Sequence, residues 1–226
     1  SVLLEKIKAE RKNNPTRRGD RPRSCPENGH QPQSIDGQPQ GVAPTRADTP
    51  GLPELPEGWV WTNLSTIAEI KGGVAKGEKR PLNQRTRLVP YLRVANVQRG
   101  FLDLTEMKEI EATEDDIRDL RLLPGDILLN EGGDRDKLGR GWVWKGEIAE
   151  CIHQNHVFRA RLYDKRLFPE FVSFYTNSLG QAYMFSQGKQ TTNLASINMT
   201  KLAQLPIPLP SLPEQRKIVE EIDRCF

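Results

Sequence analysis

Apolar positions recur along this chain in two rhythms, and the switch between them marks its elements. Leu3, Leu4 and Ile7 lie at helical spacing, with Lys and Arg gathering towards the end of the segment, which predicts a short helix over 1–12. The stretch 13–54 has almost no aliphatics and a large share of the prolines, set among Gly, Gln, Ser, Asn and Arg. It cannot bury enough apolar surface to offset its ordering entropy and reads as a flexible linker. From Leu55 the pattern changes abruptly. Trp59 to Trp61 predicts a strand, Asn63 caps a short helix to Ala68, and Ile67 to Lys71 turns back into the fold. Leu88 to Val94 predicts a buried strand and Phe101 to Leu104 a second, after a Gln98-Arg99-Gly100 turn. Thr113 opens a helix through Leu120 with acidic residues in its first turn.

The second half continues the alternation. Strands are predicted at Ile127 to Asn130, Gly141 to Lys145 and Cys151 to Arg161, and one long helix at Leu167 to Ser186. Phe171, Val172, Phe174, Tyr175, Leu179 and Tyr183 crowd one broad face of that helix, the pattern of a core rather than a base-stacking platform. Gly180 marks a bend or a close approach there. Leu205 to Pro210 alternates with prolines, whose fixed φ and missing N–H make it extended and confine it to an edge or crossing strand. A last helix starts at Ser211, whose side chain can cap it, with Glu214 reaching back and Pro213 in the first turn. Its stripe of Leu212, Ile218, Val219, Ile222 and Cys225 is the expected packing face for a partner helix. The fold class is therefore α+β, a mostly antiparallel twisted sheet with several helices, followed by a helical exit. The expected division is 1–12, 13–54, a globular domain at 55–210, and a helix from 211 to 226.

Net charge is +3, but residues 1–24 carry eight Lys/Arg against three Asp/Glu, leaving the remainder at −2. The domain-wide basic field common in nucleic-acid binders is absent, although loops can be locally basic while another face is acidic. Cys25, Cys151 and Cys225 lie far apart with no C-x-x-C pair, which supports neither a disulfide scaffold nor a zinc knuckle and fits a reducing cytosol. No apolar run reaches membrane-span length and no signal-peptide pattern opens the chain.

Candidate chemistry sits in the loops. Lys71 to Arg80 is glycine-rich with four cations, Lys71, Lys76, Lys79 and Arg80, so its backbone can approach phosphates and its side chains neutralise them; a solvated surface loop is the alternative. Glu131 to Arg140 is glycine-rich and charged with both signs. Arg135, Lys137 and Arg140 suit phosphate or guanine, Glu131 and Asp134 could accept from cytosine N4, and a salt-bridged hairpin tip carries equal weight. Gln154 and Asn155 are possible base contacts if they lie at an exposed strand end. Arg93 and Asn96 read as structural ties between strand ends. Cys151, His153 and His156 invite a metal, but alternation puts the histidines on opposite faces and no fourth ligand is near. Gln187 to Asn193 is polar, and its Lys189, Gln190, Thr191, Thr192 and Asn193 include amides that can bind adenine with both atoms and a lysine that can reach guanine; an entirely structural loop is the alternative. No Walker A motif is present, and Asn14-Pro15-Thr16 lacks the adenine-methyltransferase aromatic. The E-x-K matches at Glu69 and Glu106 lack an upstream Asp, and no Ser/His/Asp or Cys/His constellation assembles. No catalysis is expected from these residues.

The run IPLPSLPEQRKIVEEID, preceded by a Q-x-x-NL loop, resembles the junction in type I restriction-modification specificity subunits where a target-recognition domain passes into a spacer helix. LPEGWVWTNLSTIAEI, VPYLRVANVQRGFLDL and PGDILLNEGG…LGRGWVWKG…CIHQNHVFRAR resemble the same family, in collinear order from about residue 55 to 226. The resemblance implies a non-catalytic, cytoplasmic prokaryotic subunit that reads one half of a bipartite double-stranded DNA target. It implies partners: DNA methyltransferase subunits, a restriction/translocase subunit, and a second specificity half-subunit through the spacer helices. Cofactors are none in this chain; S-adenosylmethionine, magnesium and ATP belong to those partners. It also implies that the chain is a fragment or half-subunit carrying the second recognition domain. Two other readings stay open, a recognition domain of a larger fused restriction-methylation enzyme and a helical assembly scaffold that binds no DNA.

Overall fold

The structure, a computed structural model, describes residues 52–75, 85–134, 137–191 and 194–225. The helix expected at 1–12 and nearly all of the expected linker lie outside the described residues. The elements run β1 (Val60–Asn63), α1 (Leu64–Ile67), β2 (Ala68–Lys71), β3 (Arg87–Leu92), β4 (Lys108–Ala112), α2 (Glu114–Leu120), β5 (Ile127–Asn130), β6 (Gly132–Asp134) and β7 (Gly141–Val143). They continue with β8 (Ile152–His153), β9 (Val157–Leu162), α3 (Pro169–Asn177), α4 (Gly180–Gln187), β10 (Lys189–Gln190), β11 (Leu194–Ser196), α5 (Met199–Ala203), β12 (Pro206–Leu209) and α6 (Leu212–Cys225).

The central sheet is antiparallel throughout, in the order β2-β9-β5-β7. Side chains alternate across its faces, and each face meets its own apolar cluster. Ile127, Leu129, Val143, Phe158 and Ala160 join the main core with Leu64, Ile67, Phe171, Val172, Met184, Leu202 and Ile207. Leu128 and Val157 face a smaller core of Leu92, Val97, Leu122, Trp144 and Cys151. A second sheet, β4-β3-β8, contains one parallel pair, β3 with β8, and covers a third cluster with α2.

Local chemistry explains several elements. Thr113 accepts from the Asp116 amide while the Asp116 carboxylate accepts from the Thr113 amide, a reciprocal cap that fixes where α2 starts. Strand β12 is wholly buried, and it tolerates Pro206 and Pro208 because it pairs only with β1 and needs no donors on its other side. At α6 the Glu214 carboxylate accepts from the Ser211 amide at 3.2 Å, while the Ser211 hydroxyl donates to that same carboxylate at 2.8 Å instead of capping the helix. Arg93 and Asn96 tie strand ends: Asn96 accepts from the Arg93 amide, and both side chains donate to the Glu106 carbonyl.

Several sequence expectations change. Phe101 to Leu104 forms no strand, only a bridge between Val97 and Leu102; the partner of β3 is β4, whose Lys108, Glu109 and Glu111 hide its edge-strand character. Leu88 within β3 is exposed. The long helix over 167–186 is two helices, broken at Ser178 and Leu179. Asn177 and Ser178 divert their side chains to backbone groups, Asn177 onto Gly141 and Ser178 onto the Phe174 carbonyl, and Gly180 lies tight against Tyr175. Finally, the strand over 151–161 is interrupted by a turn at Gln154 to His156, so simple alternation cannot assign the faces of the two histidines.

The exit helix is anchored rather than free at its start. Leu212 and Ile218 pack against the main core and Val219 is part of it, so these three serve the domain itself. The buried Gln215 accepts from the Phe168 amide and donates to the Pro210 carbonyl. Only beyond them does the stripe open, with Ile222 half-buried and Cys225 exposed.

Candidate functional site

The candidate loops are far apart in sequence, yet several are hydrogen-bonded into one row. Gly73 is pressed against strand β8, where a Cβ would sit 1.9 Å from the His153 carbonyl oxygen, so its lack of a side chain permits close pairing. Beside it the Val74 amide donates to the His153 carbonyl, and the Asn155 amide donates to the Val74 carbonyl, both at 2.9 Å. On the far side of the same turn, the Glu131 amide donates to the His156 carbonyl at 3.0 Å, and the Glu131 carbonyl accepts from the Ile197 amide at 2.9 Å. Strand β6 then pairs with β11, and β11 with β10, as a small three-stranded ribbon. Gly132 is the contact point of that ribbon, since a Cβ there would lie 2.1 Å from the Ala195 carbonyl oxygen.

The residues expected at 131–140 as loop thus begin as a strand, because Gly132 lets β11 approach closely. The matching signal at 194–197 is a period of two, with Ala195 and Ile197 buried and Leu194 and Ser196 exposed.

Individual candidates separate by what already holds them. Gln154 and Asn155 are half-buried at the turn, and their side-chain amides make no hydrogen bond among the described residues. Lys189 is exposed on β10. Gln190 donates to the Phe185 carbonyl at 2.7 Å, and Thr191 closes the hairpin through its amide and hydroxyl to Leu194. The Lys137 side chain lies against Gly133 at the ribbon. Lys71 and Arg140 turn elsewhere: Lys71 pairs with Asp119 at 3.6 Å, and Arg140 donates to the Gln98 side chain at 2.8 Å. Lys76, Lys79, Arg80, Arg135, Thr192 and Asn193 lie outside the described residues. Glu131, read from the sequence as a possible cytosine acceptor, has its carboxylate against His156 Nδ1 at 2.5 Å, a pairing concealed by a separation of 25 positions.

Beneath the row, buried polar groups are committed to holding the fold. Arg159 donates to Glu69 at 2.9 Å and to the Asp119 carbonyl at 3.1 Å. Arg161 grips Asp126 at 2.7 and 2.8 Å and donates to the Arg121 carbonyl. Two arginines therefore satisfy the carboxyl end of α2, where carbonyls lack helical partners. His153 is fully buried, donates from Nδ1 to the Val157 carbonyl at 2.6 Å, and is pushed down to about 4 by burial. Burial pushes the Cys151 thiol up to about 12, so it stays protonated, the opposite of a thiolate ligand. No group of three His, Cys, Asp or Glu that could hold a metal occurs among the described residues, and no helix among them is long and apolar enough to cross a membrane.

A family model for the type I restriction modification DNA specificity domain matches residues 56–226. The type I restriction enzyme EcoKI specificity subunit of Escherichia coli K12 is 24% identical over 180 residues, covering 75% of this chain and 36% of that protein. The MjaX protein of Methanocaldococcus jannaschii, provisionally named as such a subunit, is 28% identical over 171 residues, covering 74% of this chain and 39% of its own. The crystal structure of the HsdS subunit from Thermoanaerobacter tengcongensis shares the fold at a TM-score of 0.51 and 20% identity, covering 78% of this chain and 39% of that one. The chain spans well under half the length of each of these relatives. With all the described strands and helices inside the matched region or at its edge, the chain belongs to the type I restriction modification DNA specificity domain family.

Proposed function

We propose that this chain is a recognition half of a type I specificity subunit: it binds double-stranded DNA, reads one part of a bipartite target, and docks methyltransferase and restriction/translocase subunits. The observation that carries the reading is the continuous row from Val74 through Gln154 to His156 and Glu131 into the ribbon of β6, β11 and β10. The amides of Gln154 and Asn155 are unengaged among the described residues, and Lys189 is exposed on β10 of the ribbon. Amides of this kind read adenine with both atoms, and lysines set register on phosphate or reach guanine. From the sequence alone, Lys76, Lys79, Arg80, Arg135, Thr192 and Asn193 are further proposed DNA contacts.

Residues 55–210 act as the recognition domain, and 211–226 begin the spacer helix that measures distance to a second reader. Leu212, Ile218 and Val219 root that helix while Ile222 and Cys225 continue its stripe towards a partner helix, which includes that of a second half-subunit. The chain itself is non-catalytic and holds no cofactor, and it works in a prokaryotic cytoplasm beside partners that carry S-adenosylmethionine, magnesium and ATP.

The test is selection of bound or methylated sites from randomised duplexes, with the protein carrying this chain purified alongside its partner subunits, over a salt series. Binding should weaken linearly on logarithmic axes as salt rises. Exchanging 132–140 and 187–193 for the equivalent loops of a relative should change one half of the enriched motif. Salt-insensitive binding, no enriched sequence, or methylation or cleavage by this chain unaided would each sink the proposal.

A further inference from the structure

Glu131 is the one residue in the row that touches both neighbouring segments through its backbone and also commits its side chain. Its amide and carboxylate both meet His156, and its carbonyl meets Ile197 next to the ribbon. A carboxylate accepts only, so His156 Nδ1 carries the hydrogen in this contact. The pair lies partly in solvent, with the Glu131 side chain 29% exposed and that of His156 56% exposed. Immediately before His156 stand Gln154 and Asn155, whose amides have no partner among the described residues. An amide that reads a base edge needs its position held to within a fraction of an ångström, and a three-residue turn does not supply that stiffness alone.

We propose that Glu131 and His156 are positioning residues for sequence reading. Their contact locks the 154–156 turn to the β6–β11–β10 ribbon so that both face one stretch of duplex in register. Glu131 then contributes to specificity without touching a base. This inference rests on the DNA-reading function proposed above.

The experiment uses the intact protein with its partner subunits and a randomised pool of DNA duplexes, sequenced before and after binding. It compares wild type with Glu131→Ala, His156→Ala, the double variant and Glu131→Gln, each with its thermal midpoint measured. Glu131→Gln keeps an acceptor for His156. Each alanine variant should lower the preference at the same base positions by about tenfold, in the range of one misread base pair. The double variant should lose no more than either single, Glu131→Gln should retain the preference, and the salt slope should stay unchanged. His156→Ala alters an exposed side chain and keeps the test open even if Glu131→Ala destabilises the fold. If Glu131→Ala and Glu131→Gln shift one base together while His156→Ala shifts none, Glu131 reads the base directly and the inference is overturned. Unchanged preference in all variants overturns it as well, leaving the DNA-reading function standing. A wild type that enriches no sequence removes both.

Discussion

The segment running from β8 through the turn into β9 treats polar side chains in opposite ways at its two ends. Along β9, Arg159 and Arg161 are committed to Glu69, Asp126 and the last carbonyls of α2. At the turn, Gln154 and Asn155 are left without partners among the described residues. The two sets lie within eight residues, so residue type does not separate them; the surroundings do. A buried charge without a partner is too costly to persist, so Arg159 is consumed by the fold, and the half-buried Arg161 is held by the buried Asp126. Amides at a half-exposed turn are satisfied by water and can exchange it for a base edge at small cost. Among polar candidates, the useful distinction is therefore between groups already spoken for and groups still available.

The contrast can be broken first at its buried end. Asp126 is 1% exposed, accepts two bonds from Arg161 and one from the Leu123 amide. Asp126→Ala should lower the unfolding free energy by about 4 kcal/mol in urea denaturation, since it strands a guanidinium against the sheet. Acid comes next. An unfolded imidazole binds its proton near 6.5, whereas burial holds His153 down to about 4. As pH falls the unfolded state takes the proton first, so stability should decline between those values by on the order of 3 kcal/mol and then level off below them. Urea midpoints measured across that window should fall less steeply in a His153→Gln variant.

Gly132→Ala should cost about 2 kcal/mol, because a Cβ would collide with the Ala195 backbone, and it should loosen the ribbon and broaden the enriched DNA motif. At the open end the expectation reverses. Gln154→Ala and Asn155→Ala should leave unfolding within ~0.5 kcal/mol of wild type while reducing discrimination at single base pairs by about tenfold. The smallest effect belongs to Lys189→Ala: a uniform few-fold loss across all duplexes, with the salt slope reduced by about 1, read by titration at several salt concentrations.

Legibility in the sequence follows the distance over which each feature is decided. The cap at Thr113, the extended prolines of β12, the apolar run that opens β5 and the start of α6 are settled within a few residues, and the pattern read them. Strand β4 escaped because an edge strand with one half-buried isoleucine and three charges carries little alternation. The break at Ser178 escaped because it depends on Asn177 meeting Gly141, 36 positions away. Among the site candidates, Lys71 and Arg140 looked as available as Lys189 until Asp119 and Gln98 were seen beside them.

By itself, the order of residues determined the α+β class, most element positions and the family. These rest on periodicity, capping and turn chemistry, which act between near neighbours along the chain. Only the tertiary structure decided that 73–74, 153–156, 131 and 194–197 form one row, and which of their polar groups remain unclaimed. Those outcomes depend on hydrogen bonds between segments separated by tens of residues, whose partners are chosen by sheet register and core packing.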